Sequence, residues 1–271
     1  MRTRGSIAWR TPVYIVTALS AVASDQPLLA QGGPPLRTDD PGTPGDGRWE
    51  INLAFTTEKR GRGRLFEAPL LDLNYGVGER LQLKFELPWL FLREEGEESK
   101  NGLGNFQIGV KWRFLDQASH GLDGSVYPQI EFNNPTSSAD RGLVEDGSAW
   151  TFPLQIERRF GRFSLNPELG YAVLEGEDEW LYGLAVGYSL FGCLELLAEV
   201  HGEAQSDFGD DDLLVQAGCR WSAHPNLSLL GAVGTGIRHP EDMRIELVAY
   251  LGVQILFGKE LPEDPAQDGA E

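Results

Sequence analysis

The chain has 271 residues, with 41 acidic side chains against 23 basic ones and a net charge of -18. Nucleic acid is therefore excluded as a partner, because binding to phosphates requires a basic surface. Two cysteines, Cys193 and Cys219, are too few for a disulfide scaffold or a cysteine-rich metal site. The alternation of their strands places them on opposite faces, so we predict two free thiols.

The N-terminus has the pattern of an export signal. Arginines precede an apolar run at 11–23, and small residues would allow cleavage after Ala23 or Ala30. We predict that residues 1–30 are a signal peptide. No later stretch reaches the ~18 to 20 continuous apolar residues of a transmembrane helix. The mean hydropathy of -0.28 is nevertheless compatible with a membrane barrel, because alternating strands average out their hydrophobicity.

Residues 31–47, QGGPPLRTDDPGTPGDG, are rich in proline and glycine. Such a stretch cannot pair as a central strand, because proline lacks a backbone N–H and glycine weakens a strand. Two interpretations remain open at this point, a periplasmic tail and a plug. The barrel itself is predicted over residues 48–258, and residues 259–271 form a polar C-terminal tail.

From residue 49 onward, apolar residues recur with a period of two, which indicates two-faced β-strands. The last strand, 245–257, shows this best, with seven apolar residues in alternate positions. The chain contains about twelve such strands in all, each of the length that crosses a bilayer when tilted by ~45°. They are predicted at 49–55, 69–75, 81–91, 106–114, 126–132, 150–156, 163–173, 180–188, 194–200, 213–221, 227–237 and 245–257.

Short and long connections alternate along the chain. The short turns are 76–80, 116–124, 160–162, 191–192 and 223–226; the longer loops are 57–64, 93–103, 134–148, 174–179, 205–212 and 238–244. Loop 57–64 is basic, and all the others contain acidic residues. The fold class predicted is all-β: a single transmembrane up-and-down antiparallel β-barrel of about 12 strands, with short periplasmic turns and longer acidic extracellular loops. This places the protein in the outer membrane of a Gram-negative bacterium.

Aromatic residues cluster at both ends of the predicted strands, as in the aromatic girdles of membrane barrels. The short-turn ends carry Trp49, Tyr75, Trp112, Phe114, Phe163, Tyr188, Trp221 and Phe257; the long-loop ends carry Phe55, Trp89, Phe91, Phe106, Trp150, Phe152, Tyr171, Trp180 and Tyr182. The alternative is a soluble β-sandwich in which these aromatics fill a core. A water-facing second face rarely keeps so regular an alternation of turns, so the barrel is favoured.

Several stretches resemble a known family of outer-membrane proteins. Residues 39–52, 71–76, 81–89 and 109–114 are similar to segments of the outer-membrane transporters grouped under the phenol meta-cleavage pathway name. The resemblance implies an outer-membrane β-barrel that acts as a transporter or channel, in some cases for uptake of aromatic compounds. It implies location and fold more firmly than substrate.

The C-terminal strand also resembles the signal by which outer-membrane barrels are recognised for insertion. Its pattern is carried by Tyr250, Gly252, Ile255 and Phe257. This resemblance implies the barrel-assembly machinery as a partner. Outer-membrane lipid and lipopolysaccharide are the other expected partners, because acidic positions such as Asp207 and 210–212 could bridge divalent cations to lipopolysaccharide.

The polar face of the strands would line the lumen. The candidate lumen-lining residues are Glu50, Asn52, Asp72, Asn74, Lys84, Glu86, Gln107, Lys111, Arg113, Glu131, Glu157, Arg159, Glu168, Glu195, Glu199, His201, Glu203, Arg220 and Glu246. Acids outnumber bases, which favours a narrow cation-preferring channel. The alternative is that these charges pair across strands and brace a closed lumen. Inward glycines such as Gly183 would clear space for a solute or plug, or would serve strand curvature.

Three functions are compatible with this pattern. The first is passive passage of small solutes, with aromatic or partly hydrophobic compounds among the candidates and the solute itself unknown. The second is a closed barrel with a structural or binding role, and the third is an outer-membrane hydrolase. His201, between Glu199 and Glu203, could act as a base or bind a metal, but a lumen-facing histidine in an acidic network fits better. We predict no enzyme, catalytic residue, metal or cofactor.

Overall fold

The computed structural model describes residues 34–175, 178–206, 211–239 and 244–259. The predicted signal peptide, the C-terminal tail from residue 260 and the acidic positions Asp207 and Asp210 lie outside these ranges. The strands are β1 (Arg48–Arg60), β2 (Gly63–Val77), β3 (Leu81–Glu94), β4 (Lys100–Leu103), β5 (Phe106–Leu115), β6 (Asp123–Val126), β7 (Gln129–Phe132), β8 (Ser148–Thr151), β9 (Leu154–Phe160), β10 (Phe163–Val173), β11 (Glu179–Phe191), β12 (Leu194–Gln205), β13 (Asp211–His224), β14 (Leu227–Arg238) and β15 (Ile245–Gly258).

A short helix, α1 (Gln117–His120), lies in the turn between β5 and β6. Asp116 caps it by accepting a hydrogen bond from the Ala118 N–H. No helix in the described part of the chain is long and apolar enough to cross a membrane.

The strands form one closed antiparallel barrel, because β15 pairs with β1 along its whole length. Three of the spanning strands are each built from two segments: β4 with β5, β6 with β7, and β8 with β9. Pro128 and Pro153 lie at two of these interruptions, where a residue without an N–H cannot continue the ladder. The described segments therefore make twelve spanning strands, which confirms the predicted fold class.

The first hairpin differs from the prediction of a loop at 57–64. Strand β1 continues to Arg60 and β2 begins at Gly63, so the connection is a tight turn in which Gly61 has a φ of 48°. The inward positions of β1 therefore include Thr56 and Glu58, both buried.

Glu246 does not lie in the lumen where the alternation places it. Lys59 pairs with Leu247 and Arg60 pairs with Ile245, so Glu246 is an extra residue in a register shift. The shift turns Ile245 into the buried interior and exposes Glu246, whose carboxylate pairs with Lys59. The period of two holds from Val248 onward.

The outer wall is apolar, and aromatic pairs lie near both rims. At the short-turn end, the ring centroids of Trp49 and Tyr75 are 4.7 Å apart, and Trp49 stacks on Phe257 at 6.4 Å. At the long-loop end, Tyr171 and Trp180 are 4.9 Å apart. A wall with exposed leucine, valine, isoleucine and aromatic side chains all round is suited to lipid. Both cysteines are free.

Candidate functional site: a lumen occupied by the N-terminal segment

The inward face of the barrel is polar and buried. Thirteen of the candidate lumen residues are buried there: Asn52, Asp72, Asn74, Lys84, Glu86, Gln107, Lys111, Glu157, Glu168, Glu195, Glu199, His201 and Arg220. Five are partly buried: Glu50, Arg113, Glu131, Arg159 and Glu203. Glu246, the remaining candidate, is exposed and does not face the lumen. Polar side chains that are buried away from water must find hydrogen-bond or ion-pair partners inside the barrel.

On one side of the lumen, the wall satisfies much of its own polarity. Asp72 accepts hydrogen bonds from the Nδ2 atoms of Asn52, at 2.6 Å, and Asn74, at 2.9 Å. Gln82 Nε2 donates to Asn74 and to the hydroxyl of Tyr127. Elsewhere on the wall, Glu86 pairs with Lys84 at 2.7 Å and Glu157 with Arg159 at 2.6 Å within single strands, and Glu195 of β12 pairs with Arg220 of β13 at 3.2 Å. The pair Glu195–Arg220 fits the interpretation of charges that brace the lumen across strands.

The N-terminal segment, which we define as Pro34 to Gly47, enters the barrel at the short-turn end. Gly47 N–H donates to the carbonyl of Gly76 at 3.0 Å. A Cβ on Gly76 would lie 1.9 Å from the carbonyl oxygen of Gly45, so the close approach of segment and wall requires glycine there. Asp46 accepts hydrogen bonds from Lys259 and from the Gly78 N–H, and these bonds lower its pKa below the ordinary value.

Deeper in the barrel, one carboxylate binds the backbone of the segment. The two oxygens of Glu199 accept the consecutive N–H groups of Arg37 and Thr38, each at 2.8 Å. A carboxylate that accepts two charge-assisted hydrogen bonds is a strong fixed point. Thr38 also lies close to the wall, since a Cβ on Gly183 would be 2.2 Å from its hydroxyl.

Asp39 and Asp40 are bound by side chains of β5 and β10. Lys111 Nζ lies 3.1 Å from Asp39 Oδ2 and donates to the Asp40 carbonyl at 2.5 Å. Asn166 Nδ2 donates to the Asp39 carbonyl at 2.7 Å, and the Asp39 N–H lies 3.3 Å from Glu168 Oε2. The segment is therefore hydrogen-bonded to strands on both sides of the barrel.

An ion-pair cluster surrounds the side chain of Arg37. Its guanidinium donates to Glu58, and it lies 3.8 Å from Glu203. Arg60 pairs with Glu58 as well and with Asp212 at 2.7 Å. Arg37 of the segment and Arg60 at the long-loop end are thus both paired with neighbouring acids.

Leu36 gives the segment an apolar anchor. Its side chain is 1 % exposed and packs in a cluster of inward-facing wall residues. The members of that cluster are Ala54, Leu70, Ala185, Leu197, Leu214, Leu230, Ala232, Ile245, Val248 and Tyr250. The segment therefore covers this part of the inward apolar surface of the barrel.

A cavity of about 150 Å³ lies on the long-loop side of the segment. Its boundary includes Pro34, Leu36 and Asp39 of the segment, and Arg60, Glu145 and Glu179 near the long loops, among other residues. The segment, which enters at the opposite end, forms the inner end of this cavity. The cavity thus lies between the segment and the long-loop end.

The loop after β7 covers part of the long-loop end. Its Leu143 and Val144 are buried against Leu65, Leu90 and Leu92 on the inner wall. Near its start, Asn134 Nδ2 donates to the carbonyl of Gly104 at 2.8 Å. The loop therefore folds inward and narrows the mouth beside the cavity.

The sequence interpretation missed several residues that hold the segment. The predicted loop 57–64 includes Glu58, yet the alternation of Asn52, Ala54 and Thr56 continues to Glu58 and indicates an inward position for it. Arg37 and Asp39 carry no pattern of their own, because the segment has no period. Their roles follow from tertiary contacts alone.

His201 is buried in the lumen and lies against the acidic network. Its Nε2 is 3.9 Å from Glu203 Oε1, and its Nδ1 has no hydrogen-bond partner among the described residues. Within the described ranges, no hydroxyl is therefore hydrogen-bonded to this Nδ1, as a histidine base of a nucleophile would require. Over the same ranges, no group of three or more histidine, cysteine or acidic side chains is arranged to hold a metal ion.

A closed twelve-stranded antiparallel barrel, apolar outside and polar inside, is a transmembrane barrel of the bacterial outer membrane. No protein-family model matches the chain, and no curated protein matches its sequence.

The chain is similar in structure to known outer-membrane barrels. An outer membrane channel from Pseudomonas putida F1 has a TM-score of 0.64 at 11% identity, over 80% of this chain and 98% of that one. The NanC porin has a TM-score of 0.53 at 8% identity, over 78% and 100% of the two chains. The KdgM porin has a TM-score of 0.53 at 11% identity, over 76% and 99%. At these identities the likeness establishes the fold alone.

Proposed function

We propose that this protein is an outer-membrane channel for passive passage of small solutes, closed in this structure by its own N-terminal segment. One observation carries the proposal: a polar-lined barrel holds a cavity that ends on a segment that is not part of its wall. A barrel of about twelve strands has an interior wider than the side-chain-filled interior of an eight-stranded one. Withdrawal of the segment would join the cavity to the short-turn end.

The contacts of the segment support a removable plug. It is held by hydrogen bonds, ion pairs and one apolar side chain, and no strand pairing joins it to the barrel wall. Loss of these contacts would leave the ladder that closes the barrel unchanged. The segment could therefore leave the lumen while the barrel wall stays folded, as a gate requires.

The lumen supports a preference for cations once the segment has left. Lys111 and Glu199 would lose segment partners, and the inward acids outnumber the inward bases. Rings of carboxylates favour cations over anions. We propose that the open channel conducts cations better than anions.

The solute class is a finer proposal. The four stretches that resemble the phenol meta-cleavage pathway type support aromatic or partly hydrophobic compounds, and so does the apolar inner surface now covered by Leu36. The C-terminal strand supports recognition by the barrel-assembly machinery, and the acidic loops support contact with lipopolysaccharide through divalent cations. We propose no enzymatic role.

The experiment compares the refolded full-length mature protein with a variant lacking residues 34–47 in a planar bilayer, under a salt gradient. We expect rare openings in the full protein and steady, cation-selective conductance in the deletion variant. Heat-modifiable gel mobility checks that both barrels are folded. A full protein that conducts as steadily as the variant would contradict the plug.

A closed barrel with a structural or binding role is the second candidate, favoured by the ion pair of Glu195 and Arg220 that braces the wall across strands. It predicts silence from both folded proteins in the same bilayer. Current from the deletion variant would exclude it.

A further inference from the structure

The wall of the lumen binds the backbone of the N-terminal segment. In the described chain, six backbone groups between Pro34 and Asp40 are hydrogen-bonded to wall side chains, three as N–H donors and three as carbonyl acceptors. The wall side chains are Glu199 and Glu168, which accept, and Arg220, Asn166 and Lys111, which donate. Because every residue other than proline offers the same N–H and C=O groups, these contacts suit peptides of other sequences as well.

Glu199 forms the acceptor end of this site. Its two oxygens accept the N–H groups of Arg37 and Thr38, and Oε1 also accepts a hydrogen bond from Gln216 Nε2 at 2.5 Å. These three donors are amides, which carry no charge. An ammonium group, which has three N–H donors and no acceptor, would take the place of the two backbone amides when the segment leaves.

Lys111 and Asn166 form the donor end. The ion pair of Lys111 is with Asp39 of the segment, at 3.1 Å, and its Nζ also donates to the carbonyl of Asp40. Asn166 Nδ2 donates to the carbonyl of Asp39. When the segment leaves, these donors lose their acceptors, and a carboxylate would replace them with charge-assisted hydrogen bonds.

The segment itself measures the distance between the two ends. Three consecutive residues, 38–40, reach from the carboxylate of Glu199 to the ammonium of Lys111. Three residues of extended chain span at most ~10 to 11 Å. A molecule of that length with an ammonium group at one end, a carboxylate at the other and amides between them is a tripeptide.

The lumen has room for one peptide chain at this level. A Cβ on Gly183 would lie 2.2 Å from Thr38 Oγ1, so the segment lies directly against the wall. With the segment in place, Glu199, Asn166 and Lys111 are all buried. A second peptide can therefore reach these side chains only by displacing the segment.

We propose that the central lumen is a binding site for a zwitterionic peptide of about three residues, whose ammonium group meets Glu199 and whose carboxylate meets Lys111 and Asn166. The N-terminal segment occupies this site as an internal competitor. The inference rests on the proposed channel function, in which the segment is a removable plug, and it names short peptides as a class of solute.

The test uses ligand-observed NMR titrations in detergent with tri-alanine. The proteins are the full-length wild type, the full-length Leu36→Ala variant, whose segment has lost its apolar anchor, and the variant lacking residues 34–47. We expect the affinity for tri-alanine to rise in that order, with at least a tenfold difference between the first and the last, because the segment competes for the same side chains.

Three analogues of tri-alanine define which groups are recognised. N-acetyl-tri-alanine lacks the positive charge, tri-alanine amide lacks the negative charge, and 8-aminooctanoate has both charges at the same separation but no amides. Each should bind to the deletion variant at least tenfold more weakly than tri-alanine.

Variants of the wall place the peptide. In the deletion variant, Glu199→Gln and Lys111→Met should each weaken binding of tri-alanine by about tenfold, since each removes a hydrogen bond that involves a charged group. Glu98→Gln, in an exposed loop, is the matched control and should bind as its parent does.

The absence of tri-alanine binding would overturn the site, and so would equal binding of the analogues or unchanged affinity in both wall variants. Equal affinity of the wild type and the Leu36→Ala variant, both full-length chains, would show that the peptide does not compete with the segment and would overturn the site as well. Bilayer conductance of the same samples separates the two proposals. Conductance from the deletion variant without peptide binding rejects the site alone, whereas peptide binding without conductance rejects the channel and retains the site.

Discussion

At the scale of single residues, Leu36 anchors the segment in the lumen. It is the one leucine of the segment, and it is buried among inward-facing side chains of the wall. If the segment left the lumen, the side chain of Leu36 would be exposed to water. The burial of one leucine therefore opposes release of the whole segment.

Leu36→Ala should favour the open channel. Leu→Ala at a buried site costs ~2 to 5 kcal/mol, and here the loss falls on the bound segment because the wall keeps its strand pairing. We expect an increase of at least tenfold in open probability in single-channel recordings. Leu251→Ala is the matched control, because Leu251 is 66% exposed on the outer wall. Equal open probabilities in the two variants would show that Leu36 does not hold the segment.

At the scale of elements, the segment behaves as a separate element inside a barrel that is complete without it. It contacts the wall closely at Gly183, where a Cβ would lie 3.2 Å from Thr38 Cβ. Disulfides join residues whose Cβ atoms are ~3.5 to 4.5 Å apart, so a small adjustment would allow a covalent link at this point.

A Thr38→Cys/Gly183→Cys double variant should lock the channel. The native Cys193 and Cys219 are first replaced by serine, which leaves one pair of thiols. We expect no openings in the oxidised protein and recovery of openings after addition of a reductant to the bilayer chamber. The Thr38→Cys single variant should respond to neither treatment. Openings in the oxidised double variant, with the disulfide confirmed by mass spectrometry, would contradict a plug that must leave the lumen.

Most of the wall could be predicted from the sequence, because a barrel strand repeats its environment every second residue. The twelve strands and the inward orientation of side chains such as Asp72 and Glu199 follow from that period. The register shift at Glu246 could not be predicted, because an extra residue in a strand has no compositional signal. The position of the segment also could not, since Arg37 and Asp39 are buried by contacts with residues more than 100 positions away.

At the scale of the whole molecule, the usual arrangement of a soluble protein is inverted. Polar side chains are buried in the lumen, while large apolar side chains are exposed on the outside. In water such an outer surface would drive aggregation. In a bilayer the same surface is solvated by lipid, and many of the buried polar side chains bind to the wall or to the segment.

This inversion predicts that a charge on the outer wall is costly only where the lipid is deepest. Leu184 lies in the middle of β11 and is 43% exposed on the outer face, whereas Leu81 begins β3 beside a short turn. Leu184→Arg should therefore lower the free energy of unfolding by ~2 to 4 kcal/mol, and Leu81→Arg by ~0 to 1 kcal/mol, because the cost of arginine falls towards the interface. Denaturant unfolding of the refolded barrel in lipid vesicles, followed by tryptophan fluorescence, measures both. Equal costs at the two positions would mean that the exposed apolar face does not lie in a bilayer with the strands spanning it.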